Sequence, residues 1–329
     1  MRPFEYASPT DVSQASLLLN KTWGNSEILA GGTDLLSLMK DDVIRPKRLV
    51  NIKEIKELRG ISTSARETRI GALTTLAEIT DNANIMQTYA ALADAVNEAA
   101  SPQIRNMATL GGNLCQRPRC WYFRSGFGLI PKYEDGQDMV EQGDSRYHAV
   151  LGNDGPAKFV SPSTIAPALI AYGAQIRIAG AGSPRQIPLA TFFVTPKSEN
   201  EREHDLKANE IVTDVLLPKP TASMKFGYYE VRQKKAFDWP LAVAAVALDM
   251  DGGTVKSARI VMGAVAPTPW IPADAAAFLA GKEVKEDTAS VAAQKSVEGA
   301  KALKNNSHKI RLAQIAVKRA LLKAAGGAA

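Results

Sequence analysis

The sequence predicts an α+β protein of two domains. Its 329 residues exceed the usual size of one domain and are too few for three. The second part of the chain contains three strand-like runs and then three helical segments, at residues 224–232, 241–250 and 255–265 and at residues 272–280, 287–302 and 309–325. Strands followed by helices are typical of an α+β layer and not of a doubly wound sheet. The proline-rich joint Pro218-Lys219-Pro220 predicts a boundary between one domain over residues 1–218 and another over residues 219–329.

Hydrophobic periodicity and turn residues predict the elements of the first domain. Strands are predicted at residues 27–30, 48–52, 68–73, 175–179 and 210–217, and helices at residues 34–40, 75–82, 88–100 and 163–172. Thr75 and Glu78 have the spacing of a capping box, which predicts a helix start at Thr75. In the second domain, residues 251–253 (DGG) predict a tight hairpin turn between the second and third strands.

Residues 117–155 form a segment of a different kind. They include several glycines, prolines and charged residues and show little periodicity. Connections of this length without regular structure are uncommon in compact domains and are usually functional or mobile. We therefore expect a long excursion over the surface here.

The composition is that of a globular protein, with 45% apolar and 22% charged residues. The longest uncharged apolar run, Leu241–Leu248, is far shorter than the about 20 residues that cross a bilayer. The first ten residues lack the apolar core of a signal peptide. We expect no membrane association, and a cytoplasmic location or a periplasmic one reached by export together with a partner chain.

The net charge of +6 comes from one end of the chain. From Lys295 onward the sequence has eight Lys and Arg residues and a single acid, Glu298, whereas the preceding residues are close to neutral. Such a confined charge favours a solvated helix face, with a docking surface as the alternative. It does not indicate a general nucleic-acid binder.

Two glycine pairs carry most of the functional signal. Gly31-Gly32 lies at a predicted strand-to-helix junction, and Gly111-Gly112 occurs 80 positions later between small polar residues. Consecutive glycines let backbone N–H groups approach a phosphate closely, and a helix that begins after the turn adds the positive end of its dipole. Each pair alone is more often only a turn. Together they make a clamp for a diphosphate plausible.

Other common sites are missing from the sequence. The glycine pairs match neither the dinucleotide fingerprint G-x-G-x-x-G nor the G-K-[ST] of a P-loop. The three histidines, His148, His204 and His308, are widely spaced and form no H-x-x-x-H metal pair. No nucleophile elbow is present. Because both phosphate-binding fingerprints are missing, an ordinary Rossmann domain or ATPase is disfavoured.

Three segments together resemble one family: residues 30–35 (AGGTDL), 101–106 (SPQIRN) and 109–113 (TLGGN). They are similar to the FAD-binding medium subunit of molybdenum hydroxylases, which include carbon monoxide dehydrogenase, xanthine dehydrogenase, 4-hydroxybenzoyl-CoA reductase and aldehyde oxidoreductases. Residues 251–269 resemble the family's C-terminal flavoprotein domain. The resemblance implies a two-lobed FAD-binding domain of the vanillyl-alcohol-oxidase (PCMH) type, with lobes at residues 1–55 and 56–218. A small antiparallel sheet with helices would follow over residues 219–329.

The resemblance also implies that both glycine pairs hold the diphosphate of FAD and that Val212 and residues 234–239 approach the flavin ring. A lysine in the latter stretch would stabilise the charge of the reduced ring. The implied cofactor-binding residues are Leu29, Ala30, Gly31, Gly32, Thr33, Asp34, Leu35, Ser101, Ile104, Arg105, Thr109, Gly111, Gly112, Asn113, Ser163, Thr164, Val212 and Lys235. No residue of this chain is implied to be catalytic.

Two features depart from the family. Many relatives have an aspartate where this sequence has Thr164, so a charge near the ribityl group or the phosphates is missing. Residues 113–124 are similar to the aldehyde-oxidoreductase and 4-hydroxybenzoyl-CoA-reductase branch, whose medium subunit holds a 4Fe-4S cluster. Such a cluster needs four ligands, normally thiolates, and this chain has only Cys115 and Cys120. We expect no cluster, with the two cysteines as packing residues or remnant ligands.

The resemblance therefore implies a flavin subunit of a heterotrimeric enzyme, which we expect to oxidise aldehydes. A large partner would hold the molybdenum cofactor and a small partner the 2Fe-2S centres, from which electrons would reach this flavin and then an external acceptor. Two alternatives stay open: a scaffold subunit that has lost its cofactor, and a stand-alone FAD oxidoreductase of the same superfamily. A basic nucleic-acid module is disfavoured because the charge is localised.

Overall fold

The computed structural model describes residues 1–180, 182–234 and 237–327. Within these residues the chain forms three successive β-sheets with helices packed against them. The predicted α+β class, ending in a small antiparallel sheet with helices, is confirmed.

The first sheet is parallel, with β3 between β1 and β2. Its elements are β1 Glu5–Ala7, α1 Val12–Leu18, β2 Ser26–Leu29, α2 Leu35–Lys40 and β3 Arg48–Asn51. Asp11 caps α1 by accepting a hydrogen bond from the Gln14 N–H at 2.8 Å. Because β2 is followed by α2, the glycine pair at residues 31–32 lies at the carboxyl end of a strand and just before a helix.

The second sheet is antiparallel, with the strand order β4-β5-β8-β6-β7. Its strands are β4 Ile61–Thr63, β5 Glu67–Gly71, β6 Gln175–Ala179, β7 Arg185–Pro188 and β8 Ile211–Pro218. The helices between β5 and β6 are α3 Leu76–Thr80, α4 Ala83–Thr88, α5 Ala90–Glu98, α6 Pro102–Arg105, α7 Leu110–Cys115, α8 Trp121–Arg124, α9 Met139–Gln142 and α10 Ala166–Ala171. The predicted capping box of Thr75 and Glu78 is confirmed at the start of α3.

The third sheet is also antiparallel, with β10 between β9 and β11. Its elements are β9 Met224–Arg232, β10 Pro240–Asp251, β11 Thr254–Gly263, α11 Ala273–Phe278, α12 Glu286–Lys295 and α13 His308–Ala324. The predicted hairpin turn is confirmed, since Asp251 pairs with Thr254. The helix α13 packs on β9 and β10 so closely that a Cβ at Gly227 would lie 2.1 Å from the Ala320 carbonyl oxygen.

Three of the eight basic residues near the carboxyl end are paired with acids elsewhere in the fold. Lys323 contacts Asp94 at 2.7 Å, and Lys318 and Lys301 contact Glu286 and Asp154. Lys309 is buried and donates to three backbone carbonyl oxygens. This arrangement favours the solvated helix face over a strongly basic docking surface.

The segment 117–155 is not only a surface excursion, and that part of the prediction was wrong. Phe123 and Leu129 are buried in a cluster with Leu38 and Phe159. Farther on, Val150 belongs to the core of the third sheet, and its N–H donates to the Val265 carbonyl at 2.9 Å. The helices of the segment 117–155, α8 and α9, have only four residues each. Elements this short show no hydrophobic period, so the sequence does not indicate which of their positions are buried.

Candidate functional site

The first glycine pair presents free backbone donors. In the described part of the chain, the N–H groups of residues 31–34 have no hydrogen-bond acceptor, and Asp34 makes no side-chain cap for α2. Gly32 has φ +74°, a conformation that an L side chain rarely adopts. A run of unpaired N–H groups at the start of a helix favours an anion.

Gly31 lacks a side chain because another segment occupies that space. A Cβ on Gly31 would lie 1.8 Å from the Met107 carbonyl oxygen. Met107 lies two residues before the second glycine motif at residues 109–113, so this contact brings the two motifs together.

The second glycine pair is not a turn, which corrects the prediction. Thr109 caps α7, and Gly111 and Gly112 lie in the first turn of that helix. The Gly111 N–H donates to the Ala72 carbonyl at 2.9 Å, and the Gly112 N–H donates to Thr109 Oγ1 at 3.2 Å. A Cβ on Gly111 would lie 2.9 Å from the Ala72 Cβ, so this pair serves close packing.

Both motifs line one elongated cleft. A first cavity, with about 1110 Å³ of open space, contains both glycine pairs and extends to Val212. A second cavity of about 1200 Å³ is lined by Ser101, Asn113 and Thr164. The two share Thr33, Asp34, Gly112 and Gln116 and are therefore continuous. Together they form an extended cleft lined by backbone and polar groups of both motifs.

Most of the residues implied by the resemblance line this cleft. They are Ala30, Gly31, Gly32, Thr33, Asp34, Leu35, Ser101, Ile104, Thr109, Gly111, Gly112, Asn113, Thr164 and Val212. Leu29, Arg105 and Ser163 do not line it, and Lys235 lies outside the described residues. Val212 lines the first cavity, whereas Phe237, Asp238 and Trp239 line the second, so the two predicted flavin contacts lie in different parts of the cleft.

Arg105 and Ser163 contact other parts of the chain instead. The Arg105 guanidinium donates to the carbonyls of Asn97, Ala99 and Ala100, where it holds the chain corner before α6. The Ser163 hydroxyl donates to Asn113 Oδ1 at 2.6 Å. Ser163 thus positions a side chain of the cleft without facing the cleft.

Asp34 joins the first glycine motif to the start of the segment 117–155. Its carboxylate contacts Arg124 Nη2 at 2.7 Å and Arg119 Nη2 at 3.0 Å, and accepts a hydrogen bond from the Arg117 N–H at 2.9 Å. The Arg119 guanidinium in turn lies 4.8 Å from the centre of the Trp239 ring, at the far end of the cleft. Sequence reasoning missed these arginines, because their partners lie more than 80 positions away in the chain.

A buried group of charges closes the other end of the first cavity. Glu27 contacts Arg202 at 2.8 Å, and Arg117 contacts Glu203 at 3.0 Å. Burial raises the pKa of Glu27 to about 7, and burial raises the pKa of Glu203 as well. Burial lowers the pKa of the neighbouring His204 to about 4, so this imidazole is neutral at pH 7.

We expect His204 to make the fold sensitive to acid. Its folded pKa of about 4 lies below the value of 6.5 in the unfolded chain, so the unfolded state binds more protons between these values. Stability therefore falls as pH drops from 6.5 towards 4. Glu27, whose pKa is raised, has the opposite effect on stability. The contribution of His204 is therefore isolated by comparing the free energy of unfolding of the protein with that of His204→Gln in urea titrations, because Glu27 is present in both. The advantage of the unaltered protein over the variant should shrink by roughly 3 kcal/mol over this range; a constant difference would contradict the assignment.

The two cysteines lie near the cleft as neutral thiols. Cys115 lines the first cavity, and burial raises its pKa to about 12. Cys120 Sγ lies 3.1 Å from His148 Nε2, and burial raises its pKa to about 11. Among the described residues no group of three or more His, Cys, Asp or Glu side chains is placed to hold a metal ion.

Comparison with known proteins identifies the family to which this chain belongs. Residues 2–220 match the family model described as the FAD binding domain in molybdopterin dehydrogenase, and residues 227–324 match the CO dehydrogenase flavoprotein C-terminal domain. Within the described part of the chain, no helix has the length and apolar character to traverse a bilayer.

Similar proteins match along almost their whole length. The chain is 32% identical to the aldehyde oxidoreductase FAD-binding subunit PaoB of Escherichia coli (strain K12), over 91% of this chain and 93% of that protein. It is 28% identical to the carbon monoxide dehydrogenase medium chain of Hydrogenophaga pseudoflava, over 97% and 96%. Among solved structures, carbon monoxide dehydrogenase of Hydrogenophaga pseudoflava superposes with a TM-score of 0.77 at 28% identity, covering 99% of both chains. Quinoline 2-oxidoreductase of Pseudomonas putida 86 superposes with a TM-score of 0.75 at 26% identity, covering 99% of this chain and 98% of that one.

Proposed function

The chain belongs to the FAD-binding subunits of the molybdenum hydroxylase family, and from this premise we propose that it carries electrons between an iron–sulfur partner and an external acceptor. The observation that carries the proposal is the run of N–H groups at residues 31–34 that have no acceptor among the described residues and lie in the cleft that both glycine motifs line. These groups can satisfy the oxygens of a diphosphate without any metal ion.

The residues of the cleft fit FAD along its length. In this proposal the N–H groups of Gly31, Gly32 and Thr33 hold the diphosphate, while Ser101 and Asn113 donate to the chain that leads to the ring. When bound, FAD supplies two-electron chemistry that no side chain offers. The part of this chain is to position the group and to exclude water.

Thr164 takes the place where many relatives have an acidic side chain, and it still lines the cleft. Its side chain can form a hydrogen bond but carries no charge. Arg119 lines the same cavity and is paired with Asp34 of the glycine motif. We infer that threonine in place of an acid at position 164 alters the charge near Arg119. It does not affect the N–H groups that would hold the diphosphate.

We further propose an assembly with a large chain that holds a molybdenum cofactor and a small chain that holds 2Fe-2S centres. The support is the family model, whose description names molybdopterin dehydrogenase, and the medium-chain relatives. An aldehyde is the substrate class we favour for the large chain, because the relative with 32% identity is named an aldehyde oxidoreductase subunit. We propose that this chain itself has no 4Fe-4S cluster, since it has only two cysteines.

The full chain should purify with FAD bound in a ratio near one to one. Absorbance in the flavin bands, followed by release and chromatography of the cofactor, measures this ratio. A colourless protein that does not take up added FAD would contradict the proposal and favour a scaffold subunit.

Purification with its natural partners, followed by mass identification, should recover a molybdenum-cofactor chain and an iron–sulfur chain. Turnover by the isolated chain would instead favour the stand-alone oxidoreductase.

A further inference from the structure

The connection between β7 and β8 forms a hairpin beside the first cavity. Residues 189–210 contain only one short 3₁₀ turn and one isolated β-bridge. The bridge pairs Phe193 with His204, so residues 193–204, the cavity hairpin, leave the domain and return to it side by side. Connections of this length without regular structure are uncommon in compact domains and are usually functional.

The two ends of the cavity hairpin have different surroundings. Arg202 and His204 line the first cavity together with the first glycine motif. Residues 197–201, at the tip of the hairpin, are exposed to solvent. The cavity hairpin is therefore a wall between the first cavity and the surrounding water.

Polar contacts attach this wall to the rest of the domain. Arg202 contacts Glu27 at 2.8 Å, and Glu203 contacts Arg117 at 3.0 Å. Among the described residues, those from 194 to 203 belong to none of the clusters of the apolar core. Segments with few buried apolar contacts open at a low cost in free energy, so the cavity hairpin is suited to local opening.

Glu199 attaches the exposed tip of the hairpin to the segment 117–155. Its two carboxylate oxygens accept hydrogen bonds from the Leu129 N–H at 2.8 Å and from the Ile130 N–H at 2.5 Å. Gly128, with φ +90°, leaves room for this carboxylate, since a Cβ there would lie 2.9 Å from Glu199 Oε1. Hydrogen bonds to a charged acceptor are stronger than those between neutral groups, so Glu199 is a firm anchor for the tip.

We propose that the cavity hairpin is a hinged cover of the cofactor site and that Glu199 is the positioning residue that holds it closed. The inference rests on the proposed function, because it takes FAD to occupy the first cavity. The hinge lies at the bridge between Phe193 and His204, and opening releases the polar contacts of residues 199–203. FAD enters and leaves only while the hairpin is open, so the anchor sets both rates.

The rates of FAD exchange in Glu199→Gln test the proposal in the full chain. The change in flavin fluorescence on mixing FAD with the FAD-free chain gives the association rate, and trapping of released FAD by an excess of another apoflavoprotein gives the dissociation rate. Glutamine has one acceptor oxygen in place of two and no charge, so both rates should rise about tenfold, with a smaller change in Kd. A merely structural role would accelerate dissociation alone. Unchanged rates, or faster dissociation without faster association, would overturn the proposal.

Glu201→Gln is the matched control. Glu201 lies on the same exposed tip, but its carboxylate accepts hydrogen bonds from the Lys197 N–H at 2.8 Å and from the Ser198 hydroxyl at 3.3 Å, both within the hairpin. The substitution removes the same charge without releasing the tip from the segment 117–155, so both rates should stay unchanged. Equal acceleration in the two variants would show that the charge of the tip governs exchange, which contradicts the role of Glu199.

A second measurement needs no FAD. The Arg202 guanidinium lies 4.7 Å from the centre of the Trp23 ring, which also lines the first cavity. In the FAD-free chain, acrylamide should quench the emission of Trp23, identified by its loss in Trp23→Phe, more strongly in Glu199→Gln than in the unaltered protein. Equal quenching would overturn this inference alone, whereas a chain that takes up no FAD would refute the proposed function.

Discussion

Replacing Gly31 with alanine is expected to separate the two glycine motifs and to abolish retention of FAD. The new Cβ would lie 1.8 Å from the Met107 carbonyl oxygen, a backbone atom that can move only together with its segment. Forced overpacking of this kind costs about 3 kcal/mol, and the displacement acts on the N–H groups that we propose to hold the diphosphate. Urea unfolding gives the first effect, and the absorbance of the purified variant gives the second.

Gly155→Ala is the matched control for this substitution. A Cβ at Gly155 has no atom within 4 Å among the described residues, and the backbone there is not left-handed. This variant should keep both its stability and its FAD. Loss of FAD from both variants would mean that the cofactor responds to any added methyl group, and full retention in Gly31→Ala would contradict the assigned contact.

Replacing Asp34 with asparagine should destabilise the fold by about 2 kcal/mol. The change leaves Arg119 and Arg124 without their anionic partner. Breaking a fully buried ion pair costs about 3–5 kcal/mol, and the smaller value follows because these arginine side chains are 29% and 17% exposed. Urea titration measures the loss, and FAD content should fall as well because the first glycine motif loses its anchor.

Asp42→Asn separates this effect from the loss of any surface charge. Asp42 also pairs with two arginines, Arg2 at 3.3 Å and Arg45 at 2.9 Å, but both arginines are exposed and the Asp42 side chain is 37% exposed, against 16% for Asp34. Its backbone has φ +58°, which asparagine tolerates better than most residues. We expect no measurable change in the free energy of unfolding. An equal loss in both variants would show that net charge, and not the buried contact, is what matters at Asp34.

The sequence predicts long and regular elements well. The helix α13 occupies His308–Ala324 where residues 309–325 were predicted, because its apolar spacing persists over many turns. The strand β9 has the predicted bounds, since its run of apolar and aromatic residues begins soon after the proline-rich joint at residues 218–220. By contrast, β1 and β4 have three residues each, too few to show any period, and neither was predicted.

The site was predictable only in its local parts. The motifs around the two glycine pairs are visible as short strings, but the string TLGG does not reveal that its N–H groups already have acceptors in Ala72 and Thr109. The pairing of Asp34 with Arg124 spans 90 positions, and that of Glu27 with Arg202 spans 175. Such contacts arise from tertiary packing, and no spacing rule within one sequence indicates them.

A crystal structure of the FAD-loaded chain tests the central claim most directly. The account predicts diphosphate oxygens within about 2.7–3.2 Å of the backbone nitrogens of residues 31–34, the usual range for N–H···O hydrogen bonds. Density for the diphosphate at another place, with these N–H groups bound only to water, would contradict it.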